Sequence, residues 1–81
     1  MDDTVDYELR TLRIRARRFI KDQQFHEAQE LYRNALEIVK KRGDKRAIAS
    51  FENIIFKIGL DKILVKIDLL KKILNDLTYN E

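Results

Sequence analysis

Arg10, Arg13, Arg17 and Lys21 follow one another at steps of three and four residues. On an α-helix that spacing stacks all four bases on one face. Guanidinium groups hold carboxylates in forked, charge-assisted pairs and also engage phosphates. The stripe therefore suits an anionic partner: an acidic peptide, a C-terminal carboxylate or an acidic helix. A small basic nucleic-acid binder is the alternative, although no turn-separated recognition helix or aromatic stacking platform accompanies the stripe. The same bases would equally form a solvated face neutralised by Asp2, Asp3, Asp6 and Glu8 of their own chain.

Catalytic chemistry has no comparable candidate. His26 stands at a turn beside Phe25, with no nucleophile or carboxylate placed to work with it. Glu27, Glu30 and Glu37 are spaced with Arg33 and Lys41 as ordinary pairs on a wet helical face. The absence of cysteine rules out disulfides and thiolate metal sites, and one histidine cannot make a histidine-rich one. The expectation is a non-catalytic chain without metal or cofactor.

With 81 residues there is room for one domain. Apolar residues at 44% are too many for a disordered segment, while two glycines and no proline favour helix throughout. The acidic start, MDDTVDYE, lacks the basic and apolar regions of a secretion signal, and no apolar run is long enough to span a bilayer. A cytoplasmic protein without membrane contact is the corresponding expectation.

Helical periodicity organises the chain. Leu9, Leu12, Ala16 and Phe19 form the apolar stripe of a first helix that starts near Asp3 or Thr4 and fades at Asp22-Gln23-Gln24. Ala28, Leu31, Tyr32, Ala35, Leu36 and Val39 line a second helix over Phe25–Arg42. Gly43 reads as its stop, and Asp44 as a cap for the next. Ile48, Phe51, Ile55 and Ile58 then predict a third helix over 45–58, ended by Gly59. A fourth spans 61–77, with Ile63, Ile67, Leu70, Leu74 and Leu77 as its stripe. Short turns make consecutive helices antiparallel, so the expected fold is all-α, with two helical hairpins in series.

The segment LRIRARRFIKDQQFHEAQELYRNALEI resembles a tetratricopeptide repeat. Leu12, Ala16 and Phe19 stand where that pattern wants a large, a small and an aromatic residue, and Ala28, Tyr32 and Ala35 repeat the idea on the second helix. Arg15, Gln23 and Lys40 depart from it. The resemblance implies one repeat over about 9–42 and a degenerate second over about 43–76. It also implies that Arg10, Arg13, Arg17 and Lys21 look into a concave binding surface, with Asn53 on the neighbouring ridge, and that the chain acts as an adaptor. The second helix is similar as well to that of MIT domains, three-helix bundles, which would apply if residues 45–77 formed one bent helix.

The last helix carries Val65 and Leu69 off its main stripe, so its apolar arc is unusually wide. Repeat arrays end in a polar capping helix, and this chain has none. Helix four is therefore expected to cover itself, through Val65 and Leu69, against a second copy or the rest of a larger assembly; alternatively it folds back onto helix two and leaves these residues exposed.

Overall fold

The computed structural model describes residues 3–79 of the chain. Three helices account for nearly all of them: α1 (Asp3–Lys21), α2 (Phe25–Arg42) and α3 (Lys45–Tyr79). The class is all-α, as the sequence implies. Asp2, one of the acids expected to neutralise the basic stripe, lies outside the described residues.

The first hairpin follows from its alanines. Ala16, Ala28 and Ala35 are fully buried, which lets α1 and α2 approach closely, and Tyr32 is buried beside them. The connection is tight: Gln24 N–H donates to Phe19 O at 2.8 Å and Gln23 N–H to Ile20 O at 3.0 Å. This closure needs a left-handed residue, and Gln23 supplies it at φ 59° without being glycine.

The second turn uses the same device with the expected residue. Gly43, at φ 70°, donates to Lys40 O at 3.1 Å, and Asp44 N–H donates to Val39 O at 3.2 Å. The Asp44 carboxylate then accepts from Ala47 N–H at 3.2 Å and caps α3. Phe51 is completely buried, and its ring meets that of Tyr32 at 6.1 Å between centroids, tilted by 43°. Gln29 adds a polar tie by donating from Nε2 to Ile55 O at 3.2 Å.

Two expectations fail here. Gly59 does not end a helix: α3 runs through it unbroken for 35 residues. A lone glycine inside a helix costs only about 1 kcal/mol, and the strong helix formers on both sides outweigh it. Left-handed backbone, which would demand a stop, occurs at Gln23 and Gly43 and not at Gly59. There are consequently three helices, not four, and residues 43–76 form no second hairpin and no second tetratricopeptide-like repeat. The MIT-like alternative fares no better, although residues 45–77 do lie within one helix. In a closed bundle α1 and α3 would pack together, whereas here no Cα of α1 comes within 8 Å of one in α3 among the described residues. The helices form a row, with α2 in the middle.

The lengths of α2 and α3 differ, and this sets the shape. At about 1.5 Å per residue α2 is roughly 27 Å long and α3 roughly 52 Å. Running antiparallel from the shared turn, α3 passes the start of α2 near Lys62 and Lys66, which flank the same hollow as Phe25 and His26. Every residue from 66 to 78 is exposed. The molecule measures 65 × 20 × 12 Å, and its radius of gyration of 17.2 Å exceeds the roughly 12 Å of a compact chain this long.

Candidate binding groove

Because α1 and α3 are held apart by α2, a groove of about 440 Å³ opens between them. Its floor is apolar, built from Leu9 of α1, Val39 of α2 and Phe51 of α3, all buried. Arg10, Arg13, Ile14 and Arg17 form the α1 wall. Ala47 and Asp44 stand opposite, and Asp6 and Arg42 close one end.

Three of the four stripe bases thus meet in one place. Helical spacing puts Arg10, Arg13 and Arg17 on the side of α1 next to the buried Leu9 and Ala16, and α2 turns that side toward α3. Lys21 falls beyond the groove, in a shallow hollow with Ile14, Arg17 and Arg18. Asn53 is not on the groove ridge. It lies two residues beyond Phe51, about 200° round the helix, and is exposed.

The groove is asymmetric in charge. Asp6 accepts from Arg42 Nη1 at 3.0 Å, an exposed pair that joins the start of α1 to the end of α2. The Asp44 carboxylate is engaged at the α3 cap. The guanidinium of Arg13 lies 4.9 Å from the centre of the Phe51 ring. Among the described residues Arg10, Arg13 and Arg17 form no ion pair. Of the four acids expected to neutralise the stripe, Asp6 pairs with Arg42 instead, and Glu8 forms no ion pair among the described residues.

Helical periodicity alone does not mark Asp6, Arg42 and Phe51 as groove residues. Hairpin arithmetic carries a signal for the first two: Asp6 and Arg42 stand nearly equal distances before and after the Gln23 turn, so antiparallel helices bring them level. Val65 and Leu69 lie on the continuation of the Phe51–Ile58 face, beside Gln23 of the first turn. His26 is exposed at that turn. No helix among the described residues is long and apolar enough to cross a membrane.

Comparison with known proteins finds no matching family model, no similar curated protein and no similar solved structure. The tetratricopeptide and MIT resemblances therefore have no support beyond the residues that suggested them, and the three-helix row departs from both.

Proposed function

We propose that the chain is a non-catalytic protein-interaction module that takes an acidic peptide or helix into the groove between α1 and α3. The observation that carries this reading is the convergence of Arg10, Arg13 and Arg17 over an apolar floor of Leu9, Val39 and Phe51. Such a surface offers forked hydrogen bonds to carboxylates, with the exposed Ile14 beside them for an apolar side chain. Phosphates could use the same arginines, which makes nucleic acid the second reading; the net charge of +3 favours it only through non-specific attraction.

The test is a titration with a fluorescent acidic peptide of about ten residues, and with single-stranded and duplex DNA, at two salt concentrations. The double variant Arg10→Glu/Arg17→Glu keeps Arg13 on Phe51 and so leaves the packing alone. Peptide binding that falls at least tenfold in the variant supports the module. DNA binding without peptide binding transfers the assignment to nucleic acid. Peptide binding indifferent to the reversals removes the groove from the account.

A further inference from the structure

The half of α3 that outruns α2 carries a second, separate surface. Leu60, Ile63, Ile67, Leu70, Leu74 and Leu77 follow one another at steps of three and four, the spacing of a coiled-coil seam. These six are between 41% and 63% exposed. They also point away from the core. Leu60 lies about 200° round the helix from the buried Ile58, so the hairpin of α1 and α2 does not obstruct the seam. With Leu64 and Ile73 beside it, the strip is several hundred Å² of continuous apolar surface, as large as the roughly 300–600 Å² that an ordinary monomer carries at most.

We propose that this seam pairs with the same seam of a second copy of the chain, in antiparallel orientation. The charges beside the seam select that arrangement. Its two charged flanking positions are Lys66 and Lys71, both basic. A parallel pair would set Lys66 of each copy against Lys71 of the other, a like-charge contact made twice. The antiparallel pair with Leu60 against Leu77, Ile63 against Leu74 and Ile67 against Leu70 avoids this. There Lys66 runs beside Ile73 of the partner subunit, and Lys71 beside Leu64, so each lysine stem covers an apolar side chain while its head stays in water. Sliding by one heptad would put Lys66 against its own copy, so the charges fix the register too.

Leu69 and Leu70 make the test discriminating, because both are 58% exposed and only Leu70 is on the seam. Sedimentation equilibrium of the full chain from micromolar to millimolar concentration is expected to show twice the 9.7 kDa chain mass. Leu70→Glu should weaken association at least a hundredfold, and Leu69→Glu less than threefold. Both residues are exposed, and although Leu69 lines a hollow with Gln23 of the first turn, neither belongs to the buried core; circular dichroism verifies that the hairpin is intact. The chain has no cysteine, so orientation is read by mixing Leu60→Cys and Leu77→Cys chains under oxidation. Cross-links between unlike chains support the proposal. Cross-links between like chains, a monomer throughout the concentration range, or equal effects of the two glutamates would overturn it.

Discussion

Arg13 on α1 and Phe51 on α3 meet across a gap that their backbones never close: the guanidinium carbon stands 4.9 Å from the ring centre. Phe51 is fully buried, and the cation roofs it on the groove side while Tyr32 abuts it from α2. This contact ties α1 to α3 directly, and it fixes one of the groove's arginines while Arg10 and Arg17 stay unpaired among the described residues.

Arg13→Ala is therefore expected to destabilise the fold by about 0.5–1 kcal/mol, the range of an accessible cation–π contact. Arg10→Ala should stay within about 0.5 kcal/mol, as surface substitutions do. Urea denaturation of both variants checks the difference. Equal effects would mean that the Phe51 contact contributes nothing.

Gln23 occupies the left-handed region, where a side chain costs roughly 1–2 kcal/mol. Part of that is offset because glycine loses more backbone freedom on folding. Gln23→Gly should accordingly raise stability by about 0.5–1 kcal/mol, seen as a higher urea midpoint with an unchanged slope.

Gly43 is the converse case. A Cβ there would meet nothing within 4 Å, so Gly43→Ala acts through the φ of 70° alone. The expected loss is about 1 kcal/mol, and Gly43→Asn should recover part of it because asparagine tolerates the left-handed region.

Gly59 has ordinary helical geometry, and a Cβ added there would sit 3.5 Å from Gln29 Nε2, a normal van der Waals distance. Gly59→Ala should raise stability by about 0.5–1 kcal/mol through helix propensity. A loss of stability would point to a hinge at Gly59 rather than an unbroken helix.

These two glycines explain what could and could not be read from the sequence. Gly43 was recognised as a stop because the apolar stripe of α2 ends before it and Asp44 follows as a cap. Gly59 looked equivalent, yet the spacing from Phe56 through Leu60 to Ile63 keeps its phase across it, which a turn would have broken. The closely packed alanines of the first hairpin were legible because small residues at helical spacing have few other uses. Arg10, Arg13 and Arg17 could be assigned to one face but not to a groove, since the groove exists only through the placement of α3. Asn53 falls off the groove for the same reason: its expected place rests on a second repeat that does not form.

Phe51→Ala removes the ring at the centre of the α2–α3 contact and of the groove floor. The expected cost is about 3–5 kcal/mol, comparable with the whole stability of a chain this small. Circular dichroism should show a largely unfolded protein, with the long α3 losing most of its helicity because an isolated helix is marginal in water.

The free seam depends on α3 being one continuous rod past Gly59. Spin labels at the exposed positions 52 and 76, in a Glu52→Cys/Asp76→Cys chain diluted with unlabelled protein, measure this by pulsed electron–electron resonance. Twenty-four residues of continuous helix place the two backbone sites about 36 Å apart, and a single narrow distribution near that value is the predicted result. A distribution centred below about 25 Å would mean that the chain folds back at Gly59, and would contradict the account.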